Sequence, residues 1–513
     1  MEQAVQPKTI FNKQLLFIVL LYAARLIYCY AGYLKNYCWL DNQDESHVYL
    51  LGLSYYTTGQ FPLWGPDVVY TNSHLAGGLQ GFLIGAPLSV WANPFSPYLF
   101  LFILESIALI YLSWYVTKLF PKMPQWVIYS IVAFAPFAVH TGLKVINPAY
   151  VLILSVPFTL SVFESFDLFD KQLIKPEWRF FWMSFSIICA FQIHPSYIVL
   201  LLLWFAVLFY VLKKKQLSFS SWLKVAGLSI LGFAIGFAAI IPALEHYGLS
   251  VFVQQGKNLD FRFSHIADIG SVFYFFVTLA GYDMNTFSPA YTFNSLWKYL
   301  PKPFAIVFGI LQVMGLLIAA SQIIIYFIKG AKAYMAQYNR FLYASIILTV
   351  ALGILYMFSF VRPGQHALII FFPLSVIYIC ICIQFFIERN FLKPIYIGIF
   401  FSLAAIYYIT VSIATYRLPD LGYREKAFTA LQDKNSALFE TPRIADPSTN
   451  NTPPPPAPKA DTTNHPPASP APAQPQKTAS AKHHKRRHRK HHKRKKHRTH
   501  KTKSVSVKPT TTQ

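Results

Sequence analysis

The stretch Asp41-Asn42-Gln43-Asp44-Glu45-Ser46-His47-Val48-Tyr49 sets two adjacent carboxylates close to an imidazole. Neighbouring carboxylates repel when both are ionised, so one is driven toward a proton affinity useful near neutral pH. A carboxylate tuned this way is a general base for a hydroxyl or an amine. The competing reading is a solvated helix start, where acids oppose the helix dipole favourably. Further along, Arg362 in Arg362-Pro363-Gly364-Gln365-His366 has the planar fork that grips a phosphate in two places. It also suits an interfacial anchor. His366 lies one turn on, if the segment is helical. His194, beside Pro195, is either a site residue or a satisfied buried histidine, and His74 is a weaker candidate of the same kind. Glu105 falls inside an apolar run, where an acid marks either function or a bond to a neighbouring segment.

These residues sit in a chain made for lipid. Of 513 residues, 54% are hydrophobic, 17% aromatic and only 13% charged, against about 25% charged in soluble domains. Apolar runs of about 20 residues recur. They predict an all-α polytopic membrane protein with about 11 transmembrane helices, near 14–34, 97–117, 125–143, 149–168, 180–196, 197–212, 222–243, 304–328, 341–360, 367–387 and 394–415. The first run has no small-residue cleavage site and reads as a retained span. The stretch 270–282 reads as a re-entrant or interfacial helix, because a span there would spoil the charge pattern. That pattern puts Lys8 and Lys13, Lys118 and Lys122, Lys171, Lys175 and Arg179, Lys213 to Lys215, Lys329, Lys332 and Arg340, and Arg389 and Lys393 on one side. The positive-inside rule makes this side cytoplasmic and the N-terminus internal.

All seven histidines before residue 450 (His47, His74, His140, His194, His246, His265 and His366) then fall at the outer face. So do Asp44, Glu45, Asp67, Glu245, Asp260, Asp268 and Asp283. This segregation marks either an outer working face or simply longer outer loops, with the polar groups clustered at one face rather than midway. Two long outer loops, about 35–97 and 243–302, carry most of these groups. In the first, Val48 to Tyr56 is expected to form an amphipathic interfacial helix, and Gly77-Gly78 and Gly81 allow tight turning. The five cysteines lack metal-ligand spacing and imply neither a zinc site nor a disulfide framework.

After residue 416 the character changes. Residues 417–446 are polar and suit a short juxtamembrane segment; 447–476 form a Pro-rich linker with Pro453 to Pro456 consecutive. Residues 477–513 form a tail in which Lys482 to Arg498 are all Lys, Arg or His. Such a tail is too charged to bury a core and is expected to be disordered alone. It holds 15 Lys and Arg and no acid, so the formal net charge of +24 leaves +9 for residues 1–476. On the outer side, its expected partners are anionic lipid, lipopolysaccharide or cell wall.

The first loop resembles that of GT-C superfamily glycosyltransferases, especially bacterial relatives of the protein O-mannosyltransferase and aminoarabinose transferase families. The resemblance rests on Asp44-Glu45 after the first span, Gly59, Gly65-Pro66 and Gly77-Gly78-Leu79-Gln80-Gly81. It also rests on Phe191-Gln192-Ile193-His194-Pro195-Ser196, and on Arg362 to His366 leading to Phe371-Phe372-Pro373-Leu374. It covers roughly residues 10–415. Two features depart from the family pattern. Tyr49 is five residues after Asp44 where family members commonly have a tyrosine at four, and His74 lies near the place of a missing Lys-Pro-Pro stretch.

The resemblance implies transfer of a sugar from a polyprenyl-phosphate donor to a glycan, lipid or protein acceptor at the outer face. It implies Asp44 as base, Glu45 orienting it or the acceptor, and Arg362 and His366 at the donor phosphate. Tyr49, His74, His194 and Glu105 are candidate substrate contacts. Some members use a divalent metal, but those nearest this chain work without one, so no cofactor is expected. A flippase or transporter of lipid-linked sugars would show repeats and midplane polar groups. An oligosaccharide ligase or polymerase would carry its main loop late in the chain. Both remain as alternatives, and a mere anchor for the tail needs far fewer spans.

Overall fold

A computed structural model describes residues 13–35, 43–68, 73–135, 138–139, 144–214, 218–253, 261–278, 302–359 and 365–415. All belong to the first of two units, Met1–Ile444 and Ala445–Gln513. In chain order the main elements are α1 (Lys13–Lys35), α2 (Gln43–Thr58), β1 (Trp64–Val68), β2 (Ser73–Ala76), α3 (Leu79–Val90), α4 (Ser96–Leu119), α5 (Gln125–Ala133) and α6 (Asn147–Ser165). They continue with α7 (Pro176–Phe191), α8 (Tyr197–Lys214), α9 (Phe219–Phe237), α10 (Ile241–Tyr247), α11 (Ile269–Thr278), α12 (Lys302–Ile324), α13 (Asn339–Leu355), α14 (Phe372–Glu388) and α15 (Pro394–Thr415).

Seven helical stretches are long and apolar enough to cross a membrane: Ser96–Leu119, Asn147–Ser165, Tyr197–Lys214, Phe219–Tyr247, Gly309–Phe327, Asn339–Phe358 and Leu368–Glu388. The chain is a helical multi-pass membrane protein. These seven lie at seven of the roughly eleven expected places; α1, α5, α7 and α15 lie at the other four and, among the described residues, fall short of that length or hydropathy. Among the described side chains, α1 and α15 contribute the apolar stretches Gln14–Tyr30 and Pro394–Ile406. Helix α5 stops at Ala133, shortly before Pro136, whose ring cannot continue a helix. Helix α7 stops at Phe191, ahead of Pro195.

Helices α6 and α14 are apolar all round and form the centre. Every side chain from Leu368 to Phe385 is buried, as expected for a helix enclosed by other helices. The outer ring, including α8 and α9, exposes Phe205, Phe209, Leu223, Ile230 and Ile235. These suit lipid rather than water.

The basic connections meet at one end of the bundle. Lys171 Nζ donates to the Lys118 carbonyl at 2.6 Å. Arg340 donates to the Asp167 carbonyl at 3.3 Å, and Lys122 lies 3.3 Å from Glu388. At the same end Glu164 accepts the Leu173 and Ile174 amides at 2.7 and 2.8 Å and pairs with Arg179 at 3.1 Å. Both ions are buried, so each partner's charge compensates the other's desolvation.

At the opposite end, the first long loop is compact. It contains a β-hairpin between two helices, a departure from the all-helical expectation. Helix α2 packs on α3 through backbone. A Cβ at Gly52 would lie 2.3 Å from Ile84 Cγ2, and one at Gly85 would lie 2.6 Å from the Gly52 carbonyl. Only glycine permits this approach.

Helix α11 covers the expected re-entrant region 270–282 as far as Thr278. Its ten described residues rise about 15 Å. The terminal carbonyls of α11 still need partners among apolar surroundings. Ser375 donates to the Phe276 carbonyl, and Gln322 Nε2 donates to the Val277 carbonyl at 3.2 Å.

Candidate functional site

The site is built on the α2–hairpin–α3 module. Asp44 and Glu45 occupy the first turn of α2 in the backbone; their side chains lie outside the described residues. The next turns are fastened down. Val48, Tyr49 and Leu53 are buried, and the Tyr49 hydroxyl donates to the Pro94 carbonyl at 3.0 Å ahead of α4. Tyr49 therefore anchors α2; its buried ring lies 6.3 Å from that of Tyr98.

The hairpin and the start of α3 dock on the ends of α7 and α9. Gly77 has φ +96, and a Cβ there would lie 2.4 Å from Gln192 Oε1. A Cβ on Gly65 would lie 2.4 Å from the Gln192 carbonyl. Gln192 Nε2 donates to the Gly236 carbonyl at 2.8 Å, and the Gly78 amide donates to the Ala239 carbonyl at 3.0 Å. The Trp64 ring stands 5.0 Å from Tyr247 on α10. Two stretches far apart in sequence, Gly65 to Gly81 and Gln192 to Ser196, are thus brought together. His194 is nearly buried; its Nδ1 accepts the Ser196 amide at 3.1 Å and lies 2.9 Å from Ser196 Oγ. This fixes the ring at the mouth of α8.

Asp67, on β1, forms a centre that the sequence did not single out. The antiparallel register sets His74 directly across from it on β2, and His74 Nδ1 contacts the Asp67 carboxylate. From α2, His47 Nε2 lies 3.5 Å from Asp67 Oδ2 and accepts the Asp67 amide at 3.3 Å. Burial pushes the Asp67 carboxyl upward, but hydrogen bonds and charge from His47 and His74 outweigh it and hold the group well below the usual carboxylate range. His74 and Asp67 alternate poorly with any helix period, so the pairing shows only once the hairpin register is known. Among the described residues, no group of three His, Cys, Asp or Glu is arranged to hold a metal ion.

Glu105 has a different setting. It is fully buried in α4 and bonded to Arg25 Nη2 of α1 at 2.8 Å. Arg25 Nη1 also donates to the Ala133 carbonyl at the end of α5. Both ions sit near the middle of their helices. Arg25 was hidden inside an apolar run with no basic neighbour. Glu105 is joined to a neighbouring span, one of the two readings open to it.

Arg362 lies outside the described residues. His366 belongs to the helical turn Gln365–Phe371 before α14, with its side chain likewise outside. Compared with known protein families, curated proteins and solved structures, the chain matches none.

Proposed function

We propose that the chain is a GT-C-type glycosyltransferase of about eleven spans. It moves a sugar from a polyprenyl-phosphate donor to a glycan, lipid or protein acceptor at the outer, periplasmic face of an inner or plasma membrane. The observation that supports this most is the docking of the first-loop module, which begins at Asp44-Glu45, onto the Gln192 end of α7. A folded loop rigidly seated over span ends is what a base needs in order to meet an acceptor in one geometry. In this reading Asp44 takes the acceptor proton and Glu45 orients it. Arg362 and His366 stabilise the departing phosphate. His74 and His194 line the same end of the bundle, and the basic tail holds the enzyme against an anionic surface such as lipopolysaccharide, cell wall or anionic lipid.

The test uses purified protein in lipid nanodiscs and a panel of polyprenyl-phosphate sugars. Acceptor-dependent release of polyprenyl phosphate that collapses in Asp44→Asn supports the transferase. A flippase is the second reading, favoured by the Arg25–Glu105 pair buried near the middle of α1 and α4. It predicts movement of lipid-linked sugar between leaflets without release of polyprenyl phosphate.

A further inference from the structure

We infer that Asp67 is a positioning residue: held between His47 and His74, it pins the first turn of α2, and with it the backbone of Asp44 and Glu45, to the β-hairpin. The inference rests on the transferase reading for its catalytic consequence, and on geometry alone for the pin.

The contacts form a chain. His74 is the cross-strand partner of Asp67, next to the Val68–Ser73 pair, so their bond clasps that end of a hairpin whose register is irregular between Trp64 and Asp67. His47 Nε2 stands within reach of both the Asp67 amide (3.3 Å) and its carboxylate (3.5 Å), accepting from the first or donating to the second according to where the imidazole proton sits. His47 follows Asp44 by three positions, so both lie on one side of α2. Tyr49, Gly52 and Leu53 hold the middle of α2 against α3 and the Pro94 turn. Beyond those anchors, His47 is the contact among the described residues that lies nearest the first turn. The hairpin is itself seated on the bundle through Trp64 and Tyr247 and through Gly65 on Gln192. The path from bundle to candidate base therefore runs Gln192, hairpin, Asp67, His47, Asp44. Side-chain exposures of 38% for His47, 48% for Asp67 and 28% for His74 make the cluster a surface clasp rather than a core contact. Opening it therefore leaves the spans folded.

The experiment compares full-length wild type, Asp67→Asn, His47→Gln and His74→Gln in nanodiscs, with Asp170→Asn as the control at the opposite end. Two readouts are taken. The first is hydrogen exchange at amides 47–50, whose bonds close the first turn of α2. The second is polyprenyl phosphate release, resolved into kcat and KM for the donor. The pin predicts that Asp67→Asn and His47→Gln each speed exchange at these amides by about tenfold, the loss of one charge-assisted bond. It predicts unchanged exchange in α6 and α14. It also predicts that kcat falls by about tenfold or more while donor KM is nearly constant, because misplacing a base costs rate rather than binding. Exchange at 47–50 that is unchanged in folded Asp67→Asn overturns the pin. Faster exchange with unchanged kcat overturns the positioning role. If wild type releases nothing from any donor while exchange responds as predicted, the pin stands and the transferase reading falls. Should Asp67→Asn fail to fold, His47→Gln, which keeps the hairpin pair intact, carries the same test.

Discussion

Removing one member of the Arg25–Glu105 pair should destabilise the protein strongly and unequally, and removing both should not. Both side chains are fully buried, 2.8 Å apart, near the middle of α1 and α4. Breaking a buried pair costs about 3–5 kcal/mol, because an uncompensated charge remains. The two halves differ in what they leave behind. Glu105→Ala strands a guanidinium, which cannot lose its proton, with only the Ala133 carbonyl as partner. Arg25→Met strands a carboxylate, and a buried carboxylate can shed its charge by binding a proton. Glu105→Ala should therefore fall in the upper part of that range and Arg25→Met in the lower. The double variant Arg25→Met/Glu105→Leu should return to within about 1–2 kcal/mol of wild type, since apolar replacements of a buried pair are often neutral or better. The assay is alkylation of the buried thiols Cys29, Cys189, Cys380 and Cys382 during heating in nanodiscs. Cys29 lies one turn from Arg25 and reports on α1 directly. Single losses that simply add in the double variant would refute the reasoning, as would equal losses from the two single substitutions.

Asp44→Asn should abolish polyprenyl phosphate release without altering the alkylation profile, separating chemistry from folding. Gly77→Ala should loosen the first-loop module by about 1–3 kcal/mol, the cost of a left-handed residue. Its φ is +96 and its new Cβ would press on Gln192 Oε1, and limited proteolysis between residues 59 and 78 should accelerate. The pH dependence of the Asp67 clasp follows from its depressed carboxyl. A carboxyl lowered on folding stabilises fully above the ordinary range near 3.9, and this contribution is lost as pH falls through its folded value. Exchange at amides 47–50 should therefore rise in strong acid as the Asp67 carboxylate takes up a proton, and Asp67→Asn should remove this acid limb.

Hydropathy summed along the chain was enough to declare a helical membrane protein, because the cost of burying polar backbone in lipid forces every long apolar run into a helix. The same sum set the basic connections on one end, where Lys171 meets Lys118 and Arg340 meets Asp167. It also marked the short segment that became α11, while the helix expected over Val48 to Tyr56 proved to begin earlier, at Gln43. Partnership across space was beyond it. Nothing around Arg25 shows that Glu105, 80 positions away, takes its charge, since that depends on how α1 and α4 cross. Asp67 looked like one more loop acid until the hairpin register set it opposite His74 and the packing of α2 delivered His47. Gln192 belonged to a separate stretch until Gly65 and Gly77 closed over it. Periodicity reports the environment that a residue needs, whereas docking and register choose which residue supplies it.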